Sequence, residues 1–467
     1  MTTMRAMINK WIVRILLLTG PVTWSQQVLD LDAFLGYVKA YHPYLKQADI
    51  KLSESQVKLL KSRGAFDPKF GFDQKTKTFK GTSYYDKQNA SISIPTYFGL
   101  AIQAGVQQAE GDFLNPENQL SGDRLYGVGA SLQLGRGLLA NPRQTALKQA
   151  KLFTQQAREK NALQVNAILI DAAAAYLDWF KAYRIFTLYD QFVTNAAFRF
   201  EGVKKRMLAG DLAVIDTVEA RIAFNQRLLS QENARLDLRR KALKASDYLW
   251  VDGQAVVIQD SVEPFVAQQQ FEEKLIVPSD TFDQHPQLQL LSYKRQQLLL
   301  EKRLQRNNLL PEVQFHYQWL SETDPSSSWA IAVDPDNQTT GLKISLPLFL
   351  RKERANLKLA TLAVEDVDWK TAQIRVQLQN GIQALWEQKI QLARQWAIAQ
   401  NMVADYQLLF EGEKRKFEAG ESSLFLVNTR ESKLIEALLK SITLEVAWQK
   451  AKLRYYYAVN FPSLMTT

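Results

Sequence analysis

Catalysis and metal binding need particular side chains at particular spacings, and this chain is poor in them. It has no cysteine, which excludes disulfides, thiolate metal sites, a cysteine nucleophile and a lipid-modified N-terminal cysteine. Its histidines are His42, His285 and His316. The first two precede Pro43 and Pro286 at matching positions of an internal repeat, so no histidine cluster for metal or catalysis is expected. Acidic pairs such as Glu272-Glu273 lie in polar surroundings and read as solvated, which leaves a hydrolase without its carboxylates or its nucleophile and base. Neither enzymatic activity nor a cofactor is expected.

What recurs at fixed spacing is a turn. Ala209-Gly210-Asp211 returns 210 positions later, without a gap, as Ala419-Gly420-Glu421, each after a basic stretch. Gly after a basic last turn is a helix stop, and an acid beyond it suits a new helix N-terminus. Gly210, Asp211, Gly420, Glu421, Ser422 and Ser423 therefore read as the tips of two long helical hairpins. Leu212, Ile215, Asp216, Leu424, Phe425 and Leu426 flank them.

The elements that position these tips follow from periodicity. Residues 142–208 and 354–417 are long helical patterns; 67 residues would span ~100 Å at 1.5 Å each. Val165, Leu169, Ala172, Tyr176, Trp179 and Tyr183 step alternately by four and three, as coiled-coil packing requires. The helix after each tip has only about half that length. Residues 286–310 are therefore expected to continue the helix ending near Ser246, and residues 30–63 the C-terminal one. His42-Pro43 marks a helix restart.

Strand patterns lie between the helices, at Lys69–Phe79, Asn89–Pro95, Leu100–Gln108, Tyr126–Gly135, Glu312–Ser321 and Thr339–Leu346. Val128, Ala130, Leu132 and Leu134 alternate with Gly129, Ser131, Gln133 and Gly135, the period of a barrel wall between lipid and water. Tyr84, Tyr85, Tyr97, Phe98 and Tyr126 flank these strands like interfacial girdle aromatics. Val256–Ile258 reads as a further short strand.

The ends and the charge complete this reading. Arg5, Lys10, a short apolar run and Thr23-Trp24-Ser25 describe a secretory signal over residues 1–25. No later run is apolar enough for a helical membrane span. The net charge is +10, from 58 Lys and Arg against 48 Asp and Glu, spread along helices as solvated faces, so no nucleic-acid partner is expected. The organisation expected is a first repeat at 26–246, a mixed equatorial segment at 247–283 and a second repeat at 284–467.

This arrangement resembles the TolC-like outer membrane efflux protein family over about residues 29–461. The residues that carry it are His42-Pro43 with Phe66-Asp67-Pro68, His285-Pro286 with Leu310-Pro311, the strand ends Ser131–Leu134 and Ser345–Phe349, and the two Ala-Gly tips. The resemblance implies a mainly α fold with a transmembrane β-barrel. A long α-helical coiled-coil barrel would be continued by an outer-membrane β-barrel to which each protomer of a homotrimer contributes. It implies passive conduction for efflux or type I secretion, with outer-membrane lipid around the barrel, and as partners a periplasmic adaptor at the tips and an inner-membrane pump.

The chain departs from the family pattern in two places. The β part of the first repeat is 33 residues longer than that of the second, enough for an added hairpin at Asn89–Gln108, which either joins the barrel wall, giving six strands instead of the usual four, or extends outside it as a surface flap. Asp216 matches an acid of the relatives' ionic tip latch, but Ser422 stands where the latch Arg would be, and Leu426 where relatives place an acid at the constriction. The tip is therefore expected to close by apolar packing, with Asp216 free to pair with Arg430 or Arg415. An exported coiled coil without a pore is the alternative; it explains the helical seams but not the alternating strands.

Overall fold

The computed structural model describes residues 27–120, 122–266, 279–322 and 336–459; the expected signal segment lies outside them. The chain divides into two compact units, one built from the segment up to Lys46 with Asn166–Leu275 and Ile382–Asn460, the other from Gln47–Val165 with Ile276–Gly381. Two long helices, α3 (Pro142–Leu208) and α6 (Arg351–Glu418), contribute to both. Among the described residues no helix is long and apolar enough to cross a membrane.

The second unit holds an antiparallel sheet of β2 (Lys69–Phe79), β3 (Thr82–Pro95), β4 (Leu100–Glu110), β5 (Leu125–Gly135), β9 (Glu312–Ser321) and β10 (Gln338–Ser345), in the order β10-β9-β5-β4-β3-β2. The expected hairpin is therefore a pair of neighbouring strands inside the sheet, and β3 starts at Thr82, well before the expected Asn89. Residues directly opposite in antiparallel strands share a face. One row joins Phe70, Ile92, Ala104, Val128 and Trp319, and the next joins Ile94, Ile102, Ala130 and Tyr317. Leu100, Leu132, Phe315 and Leu342 form a third. The other face carries Ser91, Ser93, Gln103, Ser131, Gln133, Gln314, His316 and Gln318.

Helix α3 starts where it does because Asn141 caps it. Its Oδ1 accepts from the Gln144 N–H at 2.7 Å, and its Nδ2 donates to the Tyr97 carbonyl at 3.1 Å, tying the β3–β4 turn to the helix start. Pro142 follows as the first helical residue, where its missing N–H costs nothing. The helix of the same unit that precedes β9, α5 (Pro286–Asn307), lies against α3 through Gln149, which donates to Glu301 at 3.2 Å. α2 (Pro43–Arg63) leads into β2.

The first unit packs the rest of α3 against α4 (Val214–Ser246), α7 (Leu424–Val459) and the distal part of α6. The seam is real: Leu169, Ala172, Tyr176, Trp179, Ala196 and Val203 are all buried. β1 (Gln27–Asp30) pairs in parallel with β8 (Val262–Phe265), and the Tyr176 hydroxyl clamps both, donating to the Leu29 carbonyl at 2.5 Å and accepting from the Phe265 N–H at 2.9 Å. Trp250–Val251 and Gln254–Ala255 make a small hairpin, β6 and β7, while Val256–Ile258, expected as a strand, is irregular. Its main chain is held by helix ends instead: the Ser246 hydroxyl accepts from the Ile258 N–H and the Arg239 guanidinium donates to the Ile258 carbonyl.

The repeat shows in the two histidines. His42 separates α1 (Leu31–Tyr41) from α2, and its Nδ1 accepts from the Tyr44 N–H at 3.3 Å. His285 accepts from the Gln287 N–H at 3.2 Å at the start of α5. Burial lowers the pKa of both, which keeps the accepting nitrogen free of its proton at neutral pH.

Candidate functional site

Both tips close by the same hydrogen bonds. Gly210 donates to the Met207 carbonyl and Asp211 to that of Arg206; Gly420 and Glu421 repeat this on Phe417 and Lys416. This is the αL helix stop, with φ of +84° at Gly210 and +80° at Gly420. A Cβ at either glycine would meet nothing within 4 Å, so the requirement for glycine is conformational and not steric. Gly202 and Gly412 share the same 210-residue spacing yet stay helical, so the positive φ, not the glycine, defines the tips.

The acids beyond the glycines do not cap the next helices. α4 begins at Val214, and the Asp216 carboxylate reaches back to the Ala213 N–H at 3.2 Å. At the second tip the Ser423 hydroxyl accepts from the Leu426 N–H at 3.4 Å. The expected partners of Asp216 are engaged elsewhere. Arg430 Nε lies 3.6 Å from Glu413, and Arg415 Nε donates to the Glu411 carbonyl. Ser422 occupies the latch position as a donor, 2.5 Å from Glu413 Oε1, and this bond holds the Glu413 pKa below its ordinary value.

The apolar residues flanking the tips divide by facing. Leu424 is 1% exposed in a cluster with Val203 and Ala220, against which Leu212, Phe200 and Phe417 pack. Leu424 therefore belongs to the protomer's interior, and Leu212 is partly buried against the same cluster. Ile215 at 69%, Phe425 at 63% and Leu426 at 40% remain exposed. Ile215 and Phe425 are equivalent positions of the repeat.

Above the tips lies a cluster that the sequence reading missed. Glu431 on α7 is fully buried, and Arg199 on α3 and Arg227 on α4 reach it at 2.5 and 3.5 Å. Arg199 also donates to Asn428, and Arg227 to Ser432. The signal was available: Leu424, Val427, Glu431 and Leu434 step by three, four and three, so an acid stands on an apolar seam.

The sheet aromatics sit at both strand ends. Tyr97 and Phe98 form the β3–β4 turn at the helical end, where Tyr97 stacks on Phe66. Tyr84 lies at the far end, stacked on Phe113, and Tyr126 sits on the apolar face opposite Val106. Tyr85 is on the other parity, beside Lys87 on the face of Ser91 and Ser93 and not on the apolar face. Among the described residues no group of three His, Cys, Asp or Glu side chains is placed to hold a metal.

Sequence comparison finds no matching family model and no curated relative. Solved structures do match along nearly the whole chain. CusC, whose structures are described in terms of transmembrane channel formation, superposes with a TM-score of 0.66 at 15% identity, covering 95% of each chain. The CmeC outer membrane channel of Campylobacter jejuni gives 0.65 at 13% identity over 92% of this chain and 85% of that one. The outer membrane protein VceC of Vibrio cholerae gives 0.63 at 12% identity over 92% and 95%. The chain has the TolC-like outer membrane channel fold. Within that fold the elements described here are the two αL tips, the long helices and the strand layer. At such low identity the likeness is one of fold.

The facing of the tip residues separates packing from surface. Leu424→Ala should destabilise the protein by about 2–5 kcal/mol, as truncation of a buried Leu does. Phe425→Ala, whose ring is exposed in the protomer, should cost the protomer's own packing no more than about 0.5 kcal/mol, any further loss coming from contacts between protomers. Urea melts of the two purified variants check the ranking.

Proposed function

We propose that the protein is one protomer of a homotrimeric outer membrane channel that passively conducts cargo delivered by an inner-membrane pump through a periplasmic adaptor. The observation that carries this reading is the two-faced sheet. Its apolar rows on β5 run from Tyr126 to Leu134, about 26 Å of strand at ~3.3 Å per residue, close to the length of a tilted transmembrane strand of about 9–11 residues. The opposite face is hydroxyl and amide, as a water-filled lumen requires. β2 and β10 are the sheet's edges, and both are exposed along their whole length. They run antiparallel, so β10 of one protomer can pair with β2 of the next and close a barrel of eighteen strands, wide enough for an aqueous channel. An exposed apolar stripe on α6, with Leu362, Trp369 and Val376 each seven residues apart, supports helix packing between protomers.

The two tips, with Gly210, Asp211, Gly420, Glu421, Ser422 and Ser423, are the adaptor-docking surface in this reading. Ile215, Phe425 and Leu426 form the closed constriction, and Asp216 serves as a helix cap. An exposed ion pair at Asp216 would contribute only about 0–1 kcal/mol.

A lipid-facing Arg costs roughly 2–4 kcal/mol at mid-bilayer. Ile94→Arg and Ile102→Arg should each lower the yield of heat-stable trimer recovered from outer membranes. Wild-type yield for both would remove the barrel wall. In planar bilayers Phe425→Ala with Leu426→Ala should raise single-channel conductance strongly, and Asp216→Asn, which keeps the capping oxygen, should leave it unchanged. The reverse ranking would restore an ionic gate.

A further inference from the structure

The apolar rows stop well short of the sheet's free end. Beyond Phe72, Ala90 and Val106 the same parity carries Gln74, Gln88 and Gln108, then Thr76, Asp86 and Glu110. β2 and β3 nonetheless continue to the turn at Lys80 and Gly81, about 20 Å further at ~3.3 Å per residue.

Charge on this extension is sorted by face. On the parity of Ser91 and Ser93, Lys75 stands directly opposite Lys87, and Lys77 opposite Tyr85. Like charges directly opposite each other in an antiparallel pair are destabilising. The ammonium groups are held on aromatic rings instead of carboxylates: Lys77 lies 4.7 Å from the Tyr84 centroid and Lys87 4.9 Å from that of Tyr85. The nearby acids are mostly turned away. Asp86 accepts from Gln74 at 3.1 Å and Glu110 from Gln108 at 2.8 Å, both on the other face. Asp73, one residue pair below Lys75, is the acid that shares the lysines' face.

We propose that the β2–β3 extension is an anion-attracting collar at the outer mouth of the pore, to which each protomer gives Lys75, Lys77 and Lys87. The inference rests on the reading of the sheet as barrel wall, because only then does the Ser91 face line the lumen. Nine ammonium groups around one mouth, with few acids among them, concentrate phosphate- or carboxylate-bearing anions there. A surface lined by one sign of charge raises the local concentration of anions. The outward-facing side of the same extension is neutral or acidic, so the collar serves solutes in the pore and not the phosphates of surrounding lipid.

Inositol hexakisphosphate is a suitable probe, added to one side of wild-type channels in phosphatidylcholine bilayers at about 0.1 M KCl, where the Debye length is ~10 Å. It should block from the side bearing the β2–β3 turn and not from the other. The Lys75→Gln, Lys77→Gln, Lys87→Gln variant should need about tenfold more for half-block, as loss of a steering field predicts, while Arg at all three positions keeps the wild-type response. Lys87→Gln alone, which relieves the opposed pair, gives a smaller loss in the same direction should the triple variant assemble poorly. Conducting channels that are not blocked, or are blocked equally in the Gln variants, would overturn the collar. So would a Gln effect that appears only in bilayers containing anionic lipid, since the lysines would then serve lipid phosphates. Absence of any conductance from wild type would instead fell the channel reading, and the collar with it.

Discussion

The main-chain hydrogen bonds of the two outer strands govern how the rest of this protein must be arranged. Among the described residues β2 and β10 each have one edge without a partner, and the face beside those edges is apolar. In hydrocarbon no water can satisfy an open edge, and each unpaired group costs several kcal/mol. In water the same edges would invite uncontrolled pairing. An apolar face with two bare edges is stable only when the sheet closes on itself, and the antiparallel sense of β2 and β10 lets copies of the chain close it. Trimer formation is in this view a condition of the strands' stability.

The helical part obeys a parallel constraint. A 67-residue helix cannot be stabilised by propensity alone and must bury a continuous stripe. α3 does so with a heptad seam through Tyr176 and Trp179, and the tips end it by a left-handed turn. Glu431, a fully buried carboxylate on the facing seam, is neutralised by arginines from two other helices, so one carboxylate ties α3, α4 and α7 together near the tips. Replacing one partner of such a group leaves a buried charge uncompensated, which is far more costly than losing a surface pair.

Most of the fold was legible because its signals are local and periodic. The bounds of α3, β2 and β9 match the sequence reading, since alternation and heptad spacing are written in neighbouring residues. The expected hairpin begins too late: Asp86 and Gln88 carry no apolar signal because the apolar rows of the sheet end at Ala90. The β1–β8 pairing was not legible, for it joins Gln27–Asp30 to Val262–Phe265 across about half of the chain. Val256–Ile258 has strand composition, but helix-end side chains take its hydrogen bonds. At the tips the sequence located the turns and not the facing; whether Leu424 points inward and Phe425 outward is decided by one residue of helical phase. The sequence leaves Arg430 and Arg415 open as partners of Asp216, whereas its carboxylate accepts from the Ala213 N–H three residues away.

Closure between protomers is the claim on which the account turns, and the absence of native cysteine makes it directly measurable. Single cysteines introduced pairwise, one along the exposed edge of β2 and one along that of β10, can be oxidised in intact outer membranes and resolved on denaturing gels. The account predicts that pairs in one register convert the protein to a covalently closed trimer. A register that yields instead a monomer cross-linked to itself, with no intermolecular product at any pair, would contradict it.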